Sequence, residues 1–445
     1  MRPIDNFMSK RKLAYLLIFI ILAGLLAFPA LLKAIPPRYA ARLPEPLRQL
    51  SAPRDTIPIL PTVAKPVNAA SLLGRAAEVT AVPATIAAPP TLTPPSIVGQ
   101  QPKPTATSAP TPIPTATQVP IPAQFRLEGI SHKFQEWNNC GPATLAMTLS
   151  YFDMSLTQTQ TAAVLKPDPE DRNVSPWEMA AYVNDETPFH AVNRVNGDLY
   201  TVRRLLANGI PVILEIGIDP PGEFRWLGWY GHYLLAVAYD DDLQQFWVYD
   251  SWFGTSEVPL ENANPEGRVL TYDDVETYWP HFNHTYIAVY KPEQVEAVAA
   301  IIGEDLDDAA MWQNALRDVR AETAVAPDNA FLWFNLGTIY NALGQYEEAT
   351  TAFDQARAIG LPWRMLWYQF GPYEAYYQTG RYDDVILLAD VTLKERPYFE
   401  ESFYYKGLAQ AALGDTKAAR ENLEKAAEFN PNYEPAVVAL AEIGN

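Results

Sequence analysis

The chain of 445 residues contains one cysteine, Cys140. A single thiol excludes an intramolecular disulfide, and its distance from the N-terminus excludes a lipid-modified cysteine anchor. Basic residues are also scarce, with 33 Lys/Arg against 52 Asp/Glu and a net charge of −19. That balance excludes nucleic acid as a partner, because phosphate binding needs a basic surface. The shortage is uneven: residues 1–124 carry 12 Lys/Arg against 4 Asp/Glu, and the remainder 21 against 48. Aromatic residues are absent from 40–124, where "APPTLTPPS" and "QPKPTATSAPTPIPTATQVPIP" hold many of the 40 prolines. Such a stretch cannot bury enough apolar surface to fold, and proline keeps it extended. At about 3.1 Å per residue it reaches at most about 250 Å, the property of a stalk on a cell exterior.

Charge is missing altogether from "LAYLLIFIILAGLLAFPALL", Leu13 to Leu32, a run of about bilayer-spanning length. Arg2, Lys10, Arg11 and Lys12 precede it, and its apolar core exceeds that of a cleaved signal. The expectation is an uncleaved anchor with the N-terminus inside. The chain would then be a single-pass protein of the cell membrane, its folded part extracytoplasmic.

From Phe125 onward aromatics become dense. "GPATLAMTLSYF" sets Leu145, Leu149 and Phe152 on one helical face, with Pro142 in the first turn. "SPWEMAAYVND" and "DLYTVRRLLANG" predict two more helices, and "PVILEIG", "HYLLAVAY", "FWVYDSW" and "TYIAVY" predict strands. Helices first and strands later suggest an α+β domain with its helices on one side of an antiparallel sheet.

Cys140 stands at the start of the first of these helices, where the helix dipole favours thiolate over thiol. Acyl transfer on a thiolate also needs a base and donors for the oxyanion. Of the histidines at 132, 190, 232, 281 and 284, His232 is best placed, at the start of a strand and so at a cleft edge. Asp250 ends the next strand and could hold the imidazole in one tautomer. Gln135 could offer its amide to the oxyanion. Trp226, Trp229 and Tyr230, just before His232, could line a substrate groove or simply pack. His281 and His284 form H-x-x-H without a third ligand, so no metal is assigned, and nothing in the sequence calls for a cofactor.

The stretches "QEWNNCGPATLAMTLSYF", "GIPVILEIG", "GHYLLAVAYDDD" and "FWVYDSW" resemble the papain-like cysteine peptidases of family 39, relatives of the bacteriocin-leader peptidases. The resemblance implies Cys140 as nucleophile, His232 as base and acid, Asp250 as orienting residue and Gln135 in the oxyanion hole. Gln135 stands five residues before Cys140 where many members have six, and Ser251 follows Asp250 where many have proline. There is no GxxxxGK[ST] motif of an export ATPase, so a double-glycine leader is not the expected substrate.

Residues 331–362 carry Trp333, Leu336, Gly337, Tyr340, Gly344, Tyr346, Ala349, Phe353, Ala356 and Pro362, a pattern similar to the tetratricopeptide repeat. A second copy runs through Tyr404, Gly407, Leu408, Ala411, Gly414, Ala418, Leu423, Ala426 and Pro431, and a looser one surrounds Gly380, Tyr382 and Pro397. Residues 432–443 read as a capping helix and 293–325 as a degenerate first repeat.

The expected organisation is a cytoplasmic N-terminus (1–12), transmembrane anchor (13–35), disordered stalk (36–124), α+β papain-like peptidase domain (125–292) and all-α tetratricopeptide solenoid (293–445). The function expected of it is a membrane-anchored cysteine peptidase acting on a peptide or protein substrate. The concave face of its repeats would recruit substrate or a protein partner. The alternative is a catalytically inactive peptidase-like module in an interaction scaffold.

Overall fold

The computed structural model describes residues 121–168, 171, 173–219, 228–254 and 265–443, with short pieces at 59–63 and 69–74 and a few positions between 24 and 32. Most of the Leu13–Leu32 run lies outside the described residues, and among those described no helix is long and apolar enough to cross a membrane.

The first unit is built on a seven-stranded antiparallel sheet. Its strands are β1 (Gln124–Arg126), β2 (His190–Arg194), β3 (Val212–Ile218), β4 (Tyr230–Asp240), β5 (Gln245–Asp250), β6 (Arg268–Thr271) and β7 (Tyr286–Tyr290). Their order is β2-β7-β3-β4-β5-β6, with β1 also on β4. The eleven-residue β4 pairs with β3 through its first half, β1 through its end and β5 along its other edge. The four strands predicted from apolar runs are all present; β1, β2 and β6 are short and half exposed, which leaves little signal.

Helices cover both faces of the sheet rather than one. On one face lie α1 (Cys140–Ser150), α2 (Gln158–Leu165) and α3 (Pro176–Glu186), which bury Leu145, Met147, Met179 and Val183 against Ile213, Leu235 and Val289. On the other lie α4 (Leu199–Ala207) and α5 (Tyr272–Tyr278), with Val202, Leu205 and Val275 against Val212, Leu234 and Ala288. The reason was available in β3, β4 and β7. They are almost continuously apolar and buried, the signature of strands covered on two sides. Helix α1 likewise departs from a one-faced helix, since every residue from Gly141 to Leu149 is buried and Phe152 lies beyond its end.

The second unit is helical. After α6 (Val295–Ile302) and α7 (Asp308–Val325) come the pairs α8 (Ala330–Ala342) with α9 (Tyr346–Ile359), α10 (Gly371–Gln378) with α11 (Tyr382–Glu395), and α12 (Glu400–Ala412) with α13 (Thr416–Phe429), closed by α14 (Glu434–Ile443). A methyl group on Gly337 would sit 2.5 Å from the Phe353 ring, so glycine there sets how closely α8 and α9 approach. The middle pair departs from the pattern: Pro372 delays α10, and the preceding Leu361–Phe370 stretch leaves the solenoid towards the sheet.

Two expected boundaries change. Order begins ahead of Phe125, with Ala123 and Pro122 carbonyls accepting from Asp241 N and the Tyr239 hydroxyl. Part of the stalk is tied down: Ile59 bridges Pro362, Leu60 N donates to the Leu361 carbonyl at 2.9 Å, and Leu60, Ala69 and Leu72 lie in the solenoid core. A few aliphatic side chains suffice there because the repeats already supply the surface that receives them.

The two units share a core. Trp229 of the first packs with Phe282 against Phe331 and Tyr368 of the second. Asp171 and the half-buried Glu178 of the first unit also meet Glu400 and Glu401 of α12. Among them lies the ammonium of Lys166, which donates to the carbonyls of Asn138 and Asp171. Burial, then the neighbouring carboxylates, push Asp171 and Glu401 well above the carboxylate range; burial brings Glu178 to about 8. Such groups bind protons on folding, so the stability they add is complete at low pH and is lost as pH rises towards their folded values. Thermal unfolding should therefore show a Tm at pH 9 at least about 4 °C below that at pH 5, the effect of about 1–2 kcal/mol in a unit of this size. Glu401→Gln should flatten that dependence.

Candidate active site

Cys140 is the first residue of α1 and is partly exposed at its amino end, while the helix behind it is buried. Asn139 precedes it with no side-chain cap on the helix; its amide instead reaches Gln158 Oε1 at 3.2 Å. The helix start is therefore left open at the sulfur.

His232 and Asp250 come from the two central strands. Asp250 is registered opposite Leu234, so His232 lies one diagonal step away on the same face of the sheet. His232 Nε2 lies 2.8 Å from Asp250 Oδ1, with the two side chains 3% and 0% exposed. Cys140 lies close enough to the His232 side chain to raise its proton affinity. The structure thus brings Cys140, His232 and Asp250 into one chain of contacts.

The electrostatics follow from burial and its compensation. Burial favours neutral imidazole at His232, but the Asp250 charge and hydrogen bond, with the Cys140 contact, outweigh it and push His232 up to about 9. Burial would likewise raise Asp250, yet His232, Arg268 and the Trp252 N–H together hold it well below the usual carboxylate range. Arg268 Nη2 is 2.9 Å from Asp250 Oδ2, and Trp252 N and Phe253 N donate to Oδ1 at 2.8 and 3.0 Å.

Gln135 is brought to the same place by Ser251. Gln135 N donates to the Ser251 carbonyl at 2.7 Å, and the Ser251 hydroxyl donates to Gln135 Oε1 at 2.9 Å. That leaves the Gln135 amide nitrogen as its donor end. The loop between Gln135 and Cys140 is held by Gln158, which accepts from Glu136 N at 2.7 Å and donates to the Phe134 carbonyl at 2.8 Å. Asn138 completes the turn in a left-handed conformation (φ 57°), which asparagine adopts readily.

Arg268, Ser251, Gln158 and the Trp252 N–H were not found by sequence reasoning. Nothing in a lone arginine at a strand start or a lone glutamine in a helix announces such a role; only the substitution of serine after Asp250 gave a signal. Glu215 was also missed. It is buried in β3 opposite Tyr233 and near Cys140, and burial pushes its carboxyl well above the usual range. His132 Nε2 lies 2.8 Å from the Asp250 carbonyl oxygen. His281 stacks on Phe331 between the two units, with centroids 3.7 Å apart, and burial lowers it to about 3. Trp229 and Tyr230 take part in packing around the start of β4, and Trp226 lies outside the described residues.

Comparison with known proteins agrees with this architecture. Residues 117–287 match the model of the Peptidase_C39 like family, and 323–351 and 400–433 match tetratricopeptide repeats. The chain carries a Peptidase_C39-like domain followed by tetratricopeptide repeats. The looser middle pair is matched by neither repeat model. A solved chain from Bacillus anthracis described as C39-like peptidase is 15% identical, covering 38% of this chain and 98% of its own, with a TM-score of 0.30. No curated protein matches.

Removing the Asp250 charge should leave burial as the main influence on His232. In Asp250→Asn, NMR titration of the His232 ring should move its midpoint from about 9 to below 6.5. An unmoved midpoint would mean that Asp250 does not govern the imidazole.

Proposed function

We propose that the chain is a cysteine peptidase in which Cys140 is the nucleophile, His232 the proton carrier, Asp250 the residue that orients His232, and Gln135 an oxyanion donor. The observation that carries this reading is the buried His232–Asp250 pair, 2.8 Å apart, in contact with a thiol at an uncapped helix start. An imidazolium beside sulfur is the charge that stabilises a thiolate. The thiolate attacks the carbonyl carbon of an extended peptide, and the oxyanion takes hydrogen bonds from the Gln135 amide and the first turn of α1. As the C–N bond breaks, His232 gives its proton to the leaving amine. Neutral His232 then takes a proton from water as it attacks the thioester, and the acid product leaves with the thiolate restored.

The repeats would recruit the substrate or a protein partner, and the −19 charge of the chain favours basic segments. The charge-free run at 13–32 and the basic residues before it support a membrane anchor with the folded units outside the cell.

The test is incubation of the full chain with a proteome-derived peptide library, read by mass spectrometry. New termini should appear with the wild type and be absent with Cys140→Ala. Gln135→Ala should retain cleavage at a kcat lower by about 100-fold or more. Cleavage that persists in Cys140→Ala would rule the reading out.

A further inference from the structure

The aromatic cluster between the two units ends two residues from His232. Arg364 belongs to the Leu361–Phe370 stretch that leaves the solenoid, and it is 7% exposed. Its Nη1 donates to the Trp229 carbonyl at 2.8 Å, and its guanidinium carbon lies over the Tyr230 ring, 3.8 Å from the centroid. The Tyr230 ring in turn meets Trp252 edge-on at 5.6 Å, and the Trp252 N–H donates to Asp250 Oδ1, the oxygen that holds His232. Gly231, between Tyr230 and His232, has no room for a side chain, because a methyl group there would lie 2.5 Å from Phe282 and 3.0 Å from Tyr368. The strand carrying the imidazole is therefore held from the solenoid side, and through Tyr230 so is the turn that follows its carboxylate.

On the reading of Cys140, His232 and Asp250 given above, we propose that Arg364 of the repeat unit is a positioning residue for the catalytic histidine. It fixes the entry into β4 through the Trp229 carbonyl, and it presses Tyr230 onto Trp252. Both effects keep His232 Nε2 within bonding distance of Asp250. The peptidase-like unit is then complete only with the solenoid docked. The clamp has a further support: Leu60 N donates to the Leu361 carbonyl, and Arg357 Nε donates to the Pro61 carbonyl at 2.9 Å, so the segment before the sheet braces the stretch that presents Arg364.

Two effects of removing Arg364 have opposite signs. As a nearby cation it disfavours imidazolium, so loss of its charge alone would raise the His232 midpoint. As a positioning group it maintains the bond to Asp250, so its loss would lower it. The experiment is NMR titration of the His232 ring in the full-length wild type, Arg364→Met, Arg364→Lys and Tyr230→Leu, with folding checked by thermal unfolding. The expected result is a midpoint lowered by at least about one unit, a tenfold loss of proton affinity, in Arg364→Met and Tyr230→Leu. Arg364→Lys should fall between these and the wild type, since it keeps the charge and a donor but not the planar guanidinium over Tyr230. If Arg364→Met does not fold, the other two variants decide. A midpoint unmoved or raised in the folded variants overturns the positioning role. A wild-type midpoint near 6.5 would instead show that the His232–Asp250 pairing itself is absent, which is a failure of the functional reading rather than of the clamp.

Discussion

Asp250 is fully buried, and a buried carboxylate persists as an ion only where positive charge and N–H donors surround it. The site is organised around that requirement. His232 supplies one partner from β4, Arg268 another from β6, and the turn after β5 bends so that two backbone N–H groups face the same oxygen. Each of these fixes an element: β4 and β6 on either side of β5, and the turn that leads to Ser251. Ser251 then fixes Gln135. Removing one partner from such a group is costly, about 3–5 kcal/mol for a buried pair, so the arrangement resists partial loss. An imidazole held this way has its proton affinity raised, and Cys140 lies beside it.

The second organising contact is between units. Inter-domain contacts in a chain are commonly polar and modest in size, and motion across them is the default. Here the aromatic stack of Trp229, Phe282, Phe331 and Tyr368 joins the sheet to the solenoid in one core, and buried acids of both units also meet. The apolar part holds the units together at any pH, whereas the acidic part favours docking at low pH. The piece at 59–63 adds to the same junction, so the segment leading from the N-terminus meets the repeats first and the sheet second.

Much of this was legible in the sequence, and the rest failed for physical reasons. Cys140, His232 and Asp250 could be picked out because each sits at or near the end of a strongly apolar element, and element ends gather at clefts. The repeats were legible because Gly337, Phe353 and the turn glycines recur at fixed spacing. Arg268 and Gln158 were not, since their importance lies in what they touch across 18 and more residues of chain. Helices on both sides of the sheet could have been read from the unbroken apolar β3 and β4, but the helices-then-strands order was given more weight. The loose middle repeat was legible only as a defect: the residues from Trp363 to Gln369 that spoil the pattern are those that reach the sheet.

The central claim is that Cys140 and His232 form a reactive pair, and the single cysteine allows it to be tested without ambiguity. The measurement is the rate of iodoacetamide alkylation of the full chain at pH 6, in the wild type and in His232→Ala. The account predicts alkylation at least about tenfold faster in the wild type, because the imidazolium sustains thiolate well below the ordinary thiol range. Equal and slow rates in the two proteins, rising together only near pH 8.5, would contradict it.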